Sequence, residues 1–308
     1  MDTNLERTTL GSGNQWGPSE RDEAVSALRD RLVCACEDAG VQVFESAATF
    51  ELPDPAVWLL GDVHGNTQWL QRALPAMKRS DPTIKTVLQL GDWWQESKPV
   101  DHWAGIAGIE RVLVTLGNHE PYGALSPLLA SHPGRAIRVS DVVWILPRPF
   151  RFTMGGRSVL SLGGASSADA DLRTPGLDWW ADEHISDADV EKCVAGGSAD
   201  VLLTHEAPVS TPIAVVREVL RELARESDAH TVALLHRSRL KVGRVAEVVR
   251  PKLHVHGHLH VAGSGESPDG RRVVSLGRDL DPGSIARLDT STLDVRFLGP
   301  GDVWHRGR

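Results

Sequence analysis

Cysteine is nearly absent from this 308-residue chain. Cys34, Cys36 and Cys193 cannot all pair, which excludes a disulfide framework and agrees with a reducing compartment. No apolar run approaches the roughly 20 residues of a membrane-spanning helix, and the opening stretch, Met1 to Gln15, is too polar for a signal peptide. A cytoplasmic location and no membrane partner are therefore expected. A basic surplus is also missing, since 33 Lys and Arg face 41 Asp and Glu for a net charge of −8. Residues 1–55 alone carry 11 acidic and 4 basic side chains, so the remainder is nearly neutral and has no global footprint for polynucleotide binding. The patterns GxxxxGK[ST], HExxH and GxSxG do not occur, which removes nucleotide-driven motors, zincins and serine hydrolases.

What remains is an ordinary globular composition, 41% hydrophobic and 24% charged, at a length one large core can organise. Residues 1–18 are polar and rich in glycine and read as a flexible arm. Ser19 with Asp22 resembles a capping box, and Ala24, Val25, Leu28, Leu32 and Val33 recur at helical spacing up to Gly40. Residues 19–55 are thus expected to form a helical extension packed on a main domain of residues 56–308. Within that domain Ala56–Leu60, Thr86–Leu90, Arg111–Leu116, Val159–Leu162, Val201–Thr204 and Leu253–His256 read as buried strands. Gln68–Met77, Asp101–Ile109 and Asp228–Val249 read as helices, which makes the chain α/β. The tail, Arg272–Leu276 and Ile285–Phe297, alternates in the manner of antiparallel strands.

The chemistry lies at the carboxyl ends of the strands. The first ends in Gly61-Asp62-Val63-His64-Gly65-Asn66, the second in Gly91-Asp92-Trp93, and the third in Gly117-Asn118-His119-Glu120. Later strands end in Thr204-His205-Glu206 and His256-Gly257-His258-Leu259-His260. Ligands of open α/β sheets bind outside the carboxyl ends of strands, so groups distant in sequence can converge there. Alone, a Gly-Asp after a strand is an ordinary turn and a His-Glu pair an ordinary exposed dipeptide. Together the five carry carboxylates, imidazoles and one amide oxygen, a donor set suited to iron, zinc or manganese and unsuited to soft ions.

In this order the motifs resemble the calcineurin-like metallophosphoesterase superfamily, with its GDxH, GDxx, GNH(D/E), later H and GHxH. The resemblance spans residues 56–260 and implies a four-layer sandwich, two mixed β-sheets flanked by helices, with a dinuclear metal centre at its edge. It further implies one divalent cation on Asp62, His64, Asp92 and His260, and a second on Asp92, Asn118, His205 and His258, with Asp92 bridging. Two such ions, Mn, Fe or Zn, would share a hydroxide that attacks phosphorus. His119, left without a metal, would assist the leaving oxygen. A second stretch, Gly163-Gly164-Ala165, Asp169, Arg173 and Trp179-Trp180 to Glu183, is similar to one in bacterial and phage members.

The expected activity is hydrolysis of a phosphomonoester or phosphodiester, in a small molecule, nucleotide or phosphoprotein. A nuclease or nucleotide hydrolase using the same centre and a non-catalytic metal-binding scaffold are the rival readings. Arg173 is a candidate phosphate clamp. Trp93 or Trp94 is a candidate wall for a base or aromatic leaving group, with core packing the plain alternative. His254 and His256 match no ligand position and read as buried histidines. Many relatives carry a carboxylate where this chain has Gln95, and either Glu96 or Glu120 would have to replace it.

Overall fold

The computed structural model describes residues 41–299. The arm expected at 1–18, the helix expected over 19–40, and Cys34 and Cys36 lie outside them. No described helix is long and apolar enough to cross a membrane.

Two mixed sheets stack face to face. The first has eight strands in the order β1 (Glu45–Ala47), β6 (Ala136–Arg138), β7 (Val143–Ile145), β5 (Arg111–Val114), β4 (Thr86–Gln89), β3 (Ala56–Leu60), β14 (Ile285–Asp289) and β15 (Val295–Phe297). The second has seven: β12 (Gly263–Glu266), β13 (Arg272–Ser275), β11 (Leu253–His256), β10 (Val201–Thr204), β9 (Arg157–Leu162), β8 (Phe150–Met154) and β2 (Glu51–Leu52). In each sheet a parallel centre carries the expected strands, β3, β4 and β5 in one and β9, β10 and β11 in the other, and is extended by β7, which was not expected, and by β13. Residues 45–47 and 51–52, read on the sequence as part of a helical extension, instead form β1 and β2, which pair with β6 and β8.

The period-2 alternation of the strands sets the layers. Val57, Leu59, Leu88, Leu90 and Leu113 of the first sheet meet Val159, Val201, Leu203, Leu253 and Val255 of the second in one apolar core. Each such side chain, fully withdrawn from water, contributes about 1.5–3 kcal/mol of gross hydrophobic stabilisation. The alternate residues Trp58, Leu60, Val87, Val112 and Val114 face outward onto α1 (Thr67–Ser80), α2 (Ser97–Ala107) and α3 (Tyr122–Ser131). On the other side Leu160, Leu162 and Leu202 meet α4 (Asp187–Ala195) and α6 (Ala229–Val249), while α5 (Ala214–Glu226) covers Val273 through Val216.

The helix starts follow from local chemistry. Asn66 caps α1 by accepting the Trp69 N–H at 3.0 Å, and Lys78 and Arg79 close the last turn, where the helix dipole favours cations. Ser186 and Asp189 form a reciprocal capping box on α4. The tail departs from the all-antiparallel expectation. β14 and β15 are antiparallel, but β13 runs parallel to β11 and antiparallel to β12.

Candidate metal centre

The loops after β3, β4, β5, β10 and β11 meet at one end of the two sheets, stapled by bonds that cross between them. The His258 N–H donates to Asp62 Oδ1 at 3.2 Å, the Gly257 N–H to the His205 carbonyl at 3.2 Å, and His205 Nδ1 to the Leu90 carbonyl at 2.5 Å. The Val63 and His64 amides donate to the Asp92 carbonyl, and the His119 amide to Asp92 Oδ1 at 2.8 Å. These turns are tight. A Cβ on Gly117 would overlap the Asp92 carboxylate, so only glycine allows the two loops to approach. His64, Asp92, Trp94, His258 and His260 all sit at positive φ, between 44° and 71°, a strained backbone that the surrounding hydrogen bonds impose.

Both carboxylates are held in the same way. Asp62 and Asp92 each give Oδ1 to a backbone amide and leave a buried Oδ2 without a hydrogen bond. Around these oxygens, ligand atoms of Asp62, His64, Asp92 and His260 all lie within 4.8 Å of one another. His64 Nε2 is 3.4 Å from Asp92 Oδ2, and His260 Nε2 is 3.2 Å from Asp62 Oδ2 but not aligned for a hydrogen bond. Next to them His205 Nε2 stands 3.5 Å from Asp92 Oδ2 and 2.9 Å from Asn118 Oδ1, with the His258 ring 4.9 Å from the His205 ring. The seven residues expected to ligate are therefore brought together.

The electrostatics fit a cation. Because Nδ1 of His205 already donates to Leu90, its Nε2, Asn118 Oδ1 and Asp92 Oδ2 are three lone-pair donors facing one point unless a proton or a cation lies between them. With only protons available, Asp92 and Asp62 outweigh the burial that disfavours a charged ring and push His205 up to about 10. Burial likewise opposes a charge on His64, but Asp279 and Asp92 push it up to about 10. His258, dominated by burial and the nearby His205, is lowered to about 3 and stays neutral, as a metal-binding imidazole must be.

Sequence reasoning missed Asp279. It lies 3.6 Å from His64 Nδ1 and is itself held by Asn66 Nδ2 at 2.5 Å, so it orients the ring from the side away from Asp92. No motif marks a carboxylate more than 200 residues downstream. Trp93 is packed in the outer apolar core at 5% exposure. Trp94 is the tryptophan at the site, its ring 5.8 Å from that of His64 and 5.3 Å from that of His119.

The question at Gln95 also resolves. Gln95 bonds Thr67 Oγ1 and the Trp93 carbonyl. Glu120 is buried, accepts the amides of Trp93 and Gly117, and is pushed by burial up to about 7; Glu96 is the exposed residue before α2. None of them bonds His119. Instead Arg173 Nη2 meets His119 Nε2 at 2.8 Å, with Arg173 gripped by Asp169 Oδ2 through Nε at 2.9 Å and Nη2 at 2.7 Å. His254 and His256 are fully buried, bonded to Thr204 Oγ1 at 2.9 Å and the Gly257 carbonyl at 3.1 Å.

A two-sheet α/β sandwich with carboxylates and imidazoles gathered at its strand ends is the class this fold and site define. The sequence profile of the calcineurin-like phosphoesterases matches residues 55–262, and the chain belongs to that family. Membership and the Asp62, His64, Asp92, His260 cluster together support a metal-binding hydrolase of phosphoric esters. Among solved structures, TT1561 of Thermus thermophilus is 10% identical with a TM-score of 0.47, over 80% of this chain and 98% of that one. A dimetal phosphatase from Danio rerio is 11% identical at 0.48, over 80% and 97%, and an archaeal phosphodiesterase 13% identical at 0.38, over 79% and 99%. No curated protein matches the chain.

Proposed function

We propose that this chain is a dinuclear, metal-dependent phosphoesterase of the cytoplasm, hydrolysing a phosphomonoester or phosphodiester. Asp62, His64, Asp92 and His260 would hold one divalent cation, and Asp92, Asn118, His205 and His258 a second. Bound there, Mn, Fe or Zn would offset the charge of the phosphoryl oxygens and acidify a water enough to supply the nucleophile near neutral pH. The observation that carries the reading is the pair of buried carboxylate oxygens, Asp62 Oδ2 and Asp92 Oδ2, left without hydrogen bonds among imidazole nitrogens. A charge buried in this way is costly unless a cation answers it.

The remaining residues act on the substrate. Asp92, sharing its carboxylate between both clusters, fixes their spacing and through Oδ1 fixes the His119 backbone. His119 and Arg173 stand side by side, where the oxygen of a leaving group would meet an imidazole and a fixed positive charge. Trp94 offers a half-buried aromatic edge to the group carried by the phosphate.

A panel of aryl and alkyl phosphate monoesters and diesters, run on manganese-loaded protein, tests the reading. Hydrolysis of at least one class, lost in Asp92→Asn and strongly reduced in His119→Ala, is expected. Turnover left intact by either substitution would refute the roles assigned to Asp92 and His119.

A further inference from the structure

The segment running from Gly163 to Glu183 has no ligand in it, yet it touches the centre through Asn118. Asn118 Nδ2 donates to Ser167 Oγ at 2.9 Å, and Ser167 Oγ donates to Glu183 Oε2 at 2.7 Å. The Ser167 amide donates to the other oxygen, Glu183 Oε1, at 2.7 Å. Glu183 and Ser167 are both buried. The Glu183 carbonyl in turn accepts the Ala165 amide at 3.1 Å and Arg148 Nη1 at 3.2 Å. Gly164 passes this crossing at φ 94°, where a Cβ would run into the Glu183 carbonyl and the Arg148 guanidinium. The loop and the short 3₁₀ turn Ala181–Glu183 are thus locked to each other.

The direction of this chain of bonds follows from its last member. Burial raises the Glu183 carboxyl above its ordinary value against the two hydrogen bonds from Ser167; in its ionised form it has no hydrogen to give, and the hydroxyl proton of Ser167 then points at Glu183. The serine oxygen is then left with lone pairs, which only the NH₂ of Asn118 can satisfy. That choice turns Oδ1 of Asn118 the other way, onto His205 Nε2 and the point that Asp92 Oδ2 also faces. An asparagine amide is nearly symmetric in shape, and the opposite flip would present an NH₂ that no cation can use.

We infer that Glu183 and Ser167 are positioning residues that set the amide of Asn118, presenting its oxygen to the second cation. This rests on the reading of Asn118, Asp92, His205 and His258 as that cation's ligands. Glu183→Gln is the informative change because it preserves size and inverts polarity. The new side chain has one acceptor, which the Ser167 amide occupies, and its NH₂ then donates to Ser167 Oγ. The serine proton swings to Asn118, the amide flips, and nitrogen replaces oxygen at the second position. Ser167→Ala removes the acceptor without adding a donor and leaves the amide without a fixed orientation.

The test is a titration of metal-free protein with Mn²⁺, followed by calorimetry and by the exchange-coupled spin-resonance signal of a manganese pair, alongside thermal melts that establish folding. Wild type is expected to take two ions. Glu183→Gln and Ser167→Ala are expected to keep the first at wild-type affinity and to bind the second about 10- to 100-fold more weakly, the range for removing a group that orients a ligand. Two ions bound by both variants at wild-type affinities would overturn the relay while leaving the dinuclear reading in place. A wild type that takes a single ion would overturn that reading and the relay with it. If Glu183→Gln does not fold, Ser167→Ala decides the question alone.

Discussion

Arg173 Nη2 lies 2.8 Å from His119 Nε2, and a guanidinium can only donate, so the imidazole accepts that bond and carries its proton on Nδ1. Burial pulls His119 down to about 4, and Arg173 adds to the effect against the pull of Asp92, so the neutral ring is its state near neutrality. The positive charge at this contact is therefore that of Arg173. The histidine contributes a hydrogen-bonding ring held in a set orientation.

Arg173→Met removes that charge while keeping much of the bulk of the side chain. A hydrogen bond from a charged group is worth about 1.5–3 kcal/mol, so kcat on an aryl phosphate is expected to fall about 10- to 100-fold. Arg173→Lys should recover part of it. Steady-state kinetics at full manganese occupancy measures both, and a methionine variant as fast as wild type would show that Arg173 has no part in turnover.

At His64 and His205, both pushed up to about 10 by the carboxylates they face, a bound cation would compete with a proton. A group whose pKa rises on folding contributes stability that is complete below its unfolded value, near 6.5, and lost as pH climbs through its folded value. Glu120 and Glu206, raised to about 7, lose their own contribution in the same direction around pH 7. Between about pH 7 and 9 the melting temperature of metal-free protein should therefore fall. The increment added by Mn²⁺ should grow over the same interval, since the cation takes the place of those protons. Melts with and without Mn²⁺ that run parallel across this range would contradict the assignment.

Asp279 orients His64 without reaching the cluster itself. Asp279→Asn keeps the shape and removes the charge, so affinity for the ion held with Asp62, Asp92 and His260 should drop about 10- to 100-fold. Mn²⁺ titration monitors this, and unchanged affinity would reduce Asp279 to a cap on Asn66.

Gly117→Ala places a methyl group against the Asp92 carboxylate. Overpacking of this kind costs about 1–3 kcal/mol, and here the displaced group is also one proposed to hold metal. Denaturant unfolding of the metal-free protein should show the loss, together with reduced metal content on loading. A variant as stable and as well loaded as wild type would mean the loops have slack that the packing around Gly117 does not show.

Much of this was legible from the chain alone, and the exceptions share physical causes. The central parallel strands announce themselves as short apolar runs because both of their faces are buried. β6 and β7 are three-residue strands that no connection length distinguishes from loop, and Pro127 inside α3 disguises a helix. β12 reads Gly-Ser-Gly-Glu, with no strand propensity, so the antiparallel partner of β13 leaves no trace in the sequence. The seven residues that the structure gathers at the strand ends were readable because the family spacing survives intact. Trp93 and Trp94 were not separable, because the left-handed backbone at Asp92 and Trp94 breaks the alternation that decides which neighbour points inward. Asp279 stands beside His64, Ser167 bonds Asn118 and Glu183 bonds Ser167, and such contacts are a property of the fold with no sequence pattern of their own.

The most direct test of the account measures ion content and turnover in one sample: metal-free protein reconstituted with Mn²⁺, assayed for elemental stoichiometry and for hydrolysis of an aryl phosphate and its bis-ester. The account predicts two ions per chain and hydrolysis of at least one ester, both lost together on chelation and in Asp92→Asn. Two retained ions with no turnover of either ester, or turnover that survives removal of the metal, would contradict it.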